Sequence, residues 1–348
     1  MSHLSVILEF IFFGAITWIA GIWLTRTTSA IDSKYKLGSA FGGLLILGFT
    51  TSLPEIAIAF SAALEHHYDI IIGTLIGGIA IQTVVLCLLD ARMKVRNPLT
   101  FSAASLTLVL EAAIVILVSV ASIVAIKTPL VVPHTSISLA SVFIFGLWFF
   151  GLWLIFKARN GLPWRAEAIA ANPGREHHER RQIINHPVLK KMTTKKIFLI
   201  LGLSALATLI AGFGLQVTGS HLATDFNINS GLFAATFIAL AGALPNISTG
   251  LSSIKIGDYK LAMSDEFGGN AIMPALFIFC DLIARKPVLS NASASDIWFA
   301  GLGVLLTAIY IIGLIMRPKR NYLGMGLDSL AVLIIYIIGI IAISVAKV

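Results

Sequence analysis

Apolar residues run through this chain in long unbroken stretches instead of alternating with polar ones. Ten stretches bounded by charge, Pro or Gly cover residues 4–25, 37–64, 69–90, 102–126, 136–156, 197–218, 229–254, 259–283, 296–316 and 325–346. Each is close to the length of about 20 residues that carries an α-helix across a bilayer. Their lack of alternation excludes the strands of a transmembrane barrel. The first stretch reads as a retained span and not a signal peptide, because Met1 to Phe10 holds no Lys or Arg and the apolar run is too long. The expected fold class is an all-α membrane protein with about ten transmembrane helices.

Composition agrees: 57% of the 348 residues are hydrophobic and 12% charged, which excludes a water-soluble globular enzyme. Cys87 and Cys280 both fall inside apolar runs, so neither a disulfide framework nor a thiol metal site is expected. A formal charge of +8 would suggest nucleic acid if the charges were evenly spread, but they are not. Numbering the connections alternately by side puts 21 of the 25 Lys and Arg on one set of loops, leaving Lys127, Arg285, Lys286 and Lys347 on the other. Basic loops stay in the cytoplasm, so both termini are expected outside and the central loop inside.

That loop, the only long polar segment, divides the chain into a first half (1–157), a basic linker (158–196) and a second half (197–348). Its His177 and His178 lack other ligand types around them and read as part of a solvated linker that touches anionic headgroups. His66 and His67 occupy a short exterior turn.

The halves contain a repeat. Ser52–Thr83 aligns without a gap on Ala243–Pro274, 191 residues later, with nine of 32 positions identical, including a Leu-Pro and a Gly-Gly at the same separation. Copies displaced by five helices, an odd number, enter the membrane in opposite senses, which is the inverted repeat of secondary transporters. Pro54 and Pro245 stand mid-span, where proline withdraws a backbone donor and breaks the helix. Such breaks are tolerated where they line a cavity.

Glu55, Glu111, Asp265 and Glu266 lie well inside apolar runs. A carboxylate there costs about 2.5–3.5 kcal/mol on insertion scales, so each asks for a reason. Glu55 follows the first repeat proline directly, and Thr50, Thr51 and Ser52 add hydroxyl oxygens on the same turn, a composition suited to hard cations. Asp265 and Glu266 precede the second Gly-Gly. They point about 100° apart on a helix, so one of them, Asp265 by preference, is expected to face Glu55. Glu111 stands between a cation or proton role and a structural hydrogen bond. Asn246, Asn270 and Gln82 extend the set of oxygens, and Gly73, Gly77, Gly78, Gly268 and Gly269 read as points of close helix approach.

With these residues in view, Gly48-Phe-Thr-Thr-Ser-Leu-Pro-Glu55 followed by Asp69-Ile-Ile-Ile-Gly-Thr-Leu-Ile-Gly-Gly78 resembles the first alpha repeat of the calcium/cation antiporter superfamily, which includes the sodium/calcium exchangers. Ala241-Gly-Ala-Leu-Pro-Asn246 with Ser264-Asp-Glu-Phe-Gly-Gly-Asn270 is similar to the second. The resemblance implies an antiporter in a bacterial-type inner membrane, moving Ca²⁺ against Na⁺ by alternating access, with the first and sixth helices sliding as a gate. It implies a mid-membrane site drawn from Glu55, Asp265, Thr51, Ser52, Asn246, Gln82, Glu266, Thr50 and Asn270. The transported cations and membrane lipid are the expected partners. A prosthetic group, nucleic acid and an obligatory oligomer are not expected. Asn246 replaces the family's second-repeat acid and Met273 replaces a polar residue, so the alternative is proton-coupled or monovalent cation exchange at the same site.

Overall fold

The computed structural model describes residues 3–35, 48–93, 97–127, 130–133, 135–159, 193–255 and 257–346. Among the described residues eight helices are long and apolar enough to cross a membrane, and the pair Ser230–Gly242 and Leu244–Lys255, bent by 46°, is long and apolar enough when taken together. Leu53–Leu64, preceded by Gly48–Thr51, belongs to the second predicted stretch. The earlier part of that stretch lies outside the described residues, as do His177, His178 and almost all of the linker. Large apolar side chains such as Phe12, Phe143, Leu206 and Ile338 are exposed around the bundle, where lipid would cover them.

Several boundaries differ from those expected, and the sixth helix, Thr194–Asp225, also outruns its predicted end at residue 218. The first helix continues to Tyr35, past the predicted end at residue 25, because hydropathy marks where a helix leaves hydrocarbon and not where its hydrogen bonds end. The fourth span starts at Leu106, not residue 102. An extended Ser105 separates it from the short helix Leu99–Ala103.

The repeat reappears in the helix boundaries. Gly48–Thr51 and Leu53–Leu64 map by the offset of 191 onto Ala239–Gly242 and Leu244–Lys255, with breaks at Ser52 and Ala243. Local chemistry explains the match. Pro54 and Pro245 cannot donate to the carbonyl one turn back and instead suit the first turn of a new helix. The turn is bridged the same way in both copies: Ser52 N–H bonds Gly48 O at 3.1 Å and Ala243 N–H bonds Ala239 O at 2.9 Å.

Three packing relations position the site. The first and sixth helices lie along each other and rest on the seventh and second, respectively. Glycines 191 residues apart make those contacts: a Cβ on Gly21 would lie 2.6 Å from Pro245 Cβ, and one on Gly212 would lie 2.7 Å from Pro54 O. The third and seventh spans approach just as closely. A Cβ on Gly73 would lie 2.5 Å from Gly231 O, and one on Gly77 2.6 Å from Ala235 Cβ, so these glycines serve close approach as expected. The eighth span, Tyr259–Ala284, runs through the middle, touching Gly48–Thr51, the third and fourth spans and Leu244–Lys255.

Candidate functional site

The two broken helices meet over the eighth span. A Cβ on Gly269 would stand 3.4 Å from both Ser52 Oγ and Asn246 Nδ2, which brings the break of one half and the first turn after the break of the other to one bare turn. Gly242 abuts Glu55 in the same way, its Cβ position lying 3.0 Å from Glu55 Cγ.

Around this junction Glu55, Asp265 and Glu266 are all buried, with exposures of 0%, 3% and 1%. Glu55 therefore faces the protein and not lipid. Thr51 donates its hydroxyl to Asp265 Oδ1 at 3.2 Å, and the Gln82 amide donates to Glu55 Oε1 at 3.4 Å. Neither Glu266 oxygen meets a hydrogen-bond donor among the described residues. Asp265 and Glu266 are thus both buried at this level of the eighth span. The eighth span is wedged between the second and seventh, so two side chains about 100° apart are both enclosed, and of the two Asp265 meets Thr51.

The remaining candidates divide. Asn270 is buried and donates to Thr83 Oγ1 at 3.4 Å, so the amide bridges the eighth and third spans. Thr50 is buried on the short helix before the break. Glu111 is buried beside a cavity lined also by Gly48, Phe49, Phe267 and Gly268. Thr83 and Ser264 are buried polar neighbours that sequence reasoning missed. A single hydroxyl in an apolar run is ordinary helix glue, and only the partner across the junction distinguishes it.

The junction is rich in oxygen and poor in donors. Among the described residues no hydrogen-bond donor reaches Glu55 Oε2, Asp265 Oδ2, Gln82 Oε1, Asn246 Oδ1, Asn270 Oδ1 or Ser52 Oγ. Neither ion pair found among those residues involves a site carboxylate. An unsatisfied buried acceptor costs about 1–3 kcal/mol, more when charged, so these oxygens share an unmet need for a donor or a cation. The three carboxylates do not converge into a preformed metal cluster among the described residues. A bound ion would therefore draw on the amide and hydroxyl oxygens as well.

An all-helical membrane protein of two inverted halves, with buried carboxylates where broken helices meet, has the architecture of a secondary transporter. The sequence pattern of the family described as sodium/calcium exchanger protein matches residues 5–157. Inner membrane protein YrbG of Escherichia coli (strain K12) is 26% identical over 295 residues, covering 79% of this chain and 85% of that protein. Among solved structures, the sodium-calcium exchanger NCX_Mj aligns with a TM-score of 0.61 at 17% identity, over 97% of this chain and 99% of that one. The H⁺/Ca²⁺ exchanger CAX aligns with a TM-score of 0.65 at 10% identity, over 97% and 82%. The chain thus resembles the sodium/calcium exchanger family over its first half and shares the fold of both exchanger structures over nearly its whole length.

Proposed function

We propose that this protein is a secondary active cation antiporter that exchanges Ca²⁺ for Na⁺ by alternating access, holding its ions at the junction of Glu55, Asp265 and Glu266. The observation that carries this reading is the meeting over Gly269 of Ser52, at the break in one half, and Asn246, in the first turn after the break in the other, beside carboxylate and amide oxygens without donors. Thr51, Ser52, Thr50, Gln82, Asn246 and Asn270 complete the proposed ligand set. The family match over the first half and the likeness to both exchanger structures support it.

Coupling follows from electrostatics. Buried carboxylates without counter-charge are costly, so a departing divalent cation must be replaced by monovalent cations or protons before the site crosses the membrane. Protons serve the same purpose by neutralising the carboxylates directly, and the likeness to an H⁺/Ca²⁺ exchanger favours that second reading. Alternating access then requires the helix pair formed by the first and sixth spans to shift over Pro54 and Pro245, a contact made through Gly212 and Gly21. Both termini lie outside and the basic linker (158–196) joins the two halves (1–157 and 197–348) in the cytoplasm, by the charge asymmetry of the loops.

The test is ⁴⁵Ca²⁺ uptake into proteoliposomes loaded with Na⁺, or held at an inward-acidic pH, against unloaded controls. Uptake driven by internal Na⁺ is expected. Uptake driven by the pH gradient alone selects the proton-coupled reading, and uptake independent of both refutes antiport.

A further inference from the structure

Two buried carboxylates outside the proposed ion site repeat one another. Asp90 and Asp281 are 191 residues apart, the repeat offset, near the ends of the third and eighth spans. Both are buried, and neither takes part in an ion pair found among the described residues. Asp90 Oδ1 accepts the Leu99 N–H and Oδ2 accepts the Gly326 N–H, each at 2.8 Å. Asp281 Oδ1 accepts the Val288 N–H at 2.7 Å, and Oδ2 accepts the Ser138 N–H at 2.9 Å and the Ser141 hydroxyl at 2.7 Å.

The pattern is the same at both. One oxygen grips the loop that follows its own helix, and the other grips a hairpin belonging to the opposite half. For Asp90 that hairpin is the strand pair Asn321–Tyr322 and Met325–Gly326 before the tenth span. For Asp281 it is the bridge of Val131 with Ser138 before the fifth. The two ties sit at opposite ends of the bundle, because five crossings separate them. Their location is otherwise unfavourable. A carboxylate in the last turn of a helix meets the negative end of the helix dipole, so the N–H donors are what hold these charges in place, through short charge-assisted bonds.

The tied helices carry the proposed ligands. Gln82 lies eight residues before Asp90 on one uninterrupted helix, about 12 Å along its axis. Asp265, Glu266 and Asn270 precede Asp281 on the same span. We propose that Asp90 and Asp281 are paired positioning residues for transport. Each fixes the end of a ligand-bearing span to a hairpin of the other half, so that oxygens from both halves meet in one geometry. The proposal rests on the ion site described above, but its decisive measurement needs no ion.

The test uses the full-length protein with Asp90→Asn, Asp281→Asn and the milder Ser141→Ala, each required to elute with the parent on size exclusion. Asn keeps the shape but turns one acceptor into an NH₂ facing an N–H donor. Hydrogen–deuterium exchange in cation-free buffer should rise not only at the loops but along Gly78–Asp90 in Asp90→Asn and around Asp265–Asn270 in Asp281→Asn. The apparent KM for Ca²⁺ per folded molecule should rise about tenfold, as for a lost hydrogen bond to a charged group, and in the same direction but less for Ser141→Ala. Faster exchange confined to residues 99, 326, 138 and 288, with the parent's KM, overturns the proposal. If the Asn variants do not fold, Ser141→Ala decides it: parent-like exchange around Asp265–Asn270 overturns it. A parent without cation flux would count against the antiporter reading alone, and the exchange result would still decide the ties.

Discussion

Adding one methyl group at Gly21 or Gly212 should disable the protein, whereas the same change at Gly202 should not. The three glycines lie on the first and sixth helices, and their surroundings differ sharply. A Cβ at Gly21 would lie 2.6, 2.8 and 2.9 Å from Cβ, Cγ and Cα of Pro245. At Gly212 it would lie 2.6 Å from Ala57 Cβ and 2.7 Å from Pro54 O, and at Gly202 nothing stands within 4 Å. Carbon atoms pack at about 3.5–4.0 Å, so Gly21→Ala and Gly212→Ala must push the helix back by roughly 1 Å from the break beside the proposed ion site. Overpacking of this kind costs about 1–3 kcal/mol. Gly202→Ala should gain up to about 1 kcal/mol of helix propensity. Thermal unfolding of purified protein and ⁴⁵Ca²⁺ flux in proteoliposomes should both fall for Gly21→Ala and Gly212→Ala and hold for Gly202→Ala. If all three variants match the parent in both assays, the close contact of the first and sixth helices with the two prolines is wrong.

Other expectations are equally direct. Glu55→Gln keeps the acceptor that Gln82 uses but removes the charge, and Asp265→Asn keeps an acceptor for Thr51; each should abolish the rise in melting temperature that Ca²⁺ confers on the parent, read by ligand titration in a thermal-shift assay. Ser293→Ala removes the capping box with Asp296 at the start of the ninth span and should lower stability by about 0.5–2 kcal/mol while leaving the apparent KM for Ca²⁺ unchanged. With Cys87 and Cys280 replaced, Lys286→Cys should react with an impermeant maleimide from outside intact cells and Lys319→Cys only after lysis. The reverse pattern would invert the proposed orientation.

Much of the architecture was legible because membrane folding constrains sequence so strongly. Backbone groups in hydrocarbon must be satisfied within each helix, so apolar length alone locates the spans. The offset of 191 relates Pro54 to Pro245 before any coordinates are known, and the helix breaks at Ser52 and Ala243 follow from it. Glu55, Asp265, Asn246 and Gln82 stood out because polar atoms in apolar runs are expensive, and the structure gathers them at one junction. Glu266 shows where that logic stops. A single helix wheel has one inner face, but a helix enclosed by neighbours on several sides has more than one.

Asp90 and Asp281 lay at span ends, where carboxylates are cheap, and nothing in their sequence surroundings singled them out. Their role appears only once Gly326 and Ser138 are brought to them from the opposite half. The same holds for Gly21 and Gly212, ordinary small residues until Pro245 and Pro54 lie against them. The sequence by itself determined the crossings, the repeat and the buried charges, because these depend on each segment's own exchange with lipid and water. Which helices touch, which carboxylates share a junction and which ties join the halves were decided by tertiary packing, because those energies belong to pairs of groups far apart in the chain.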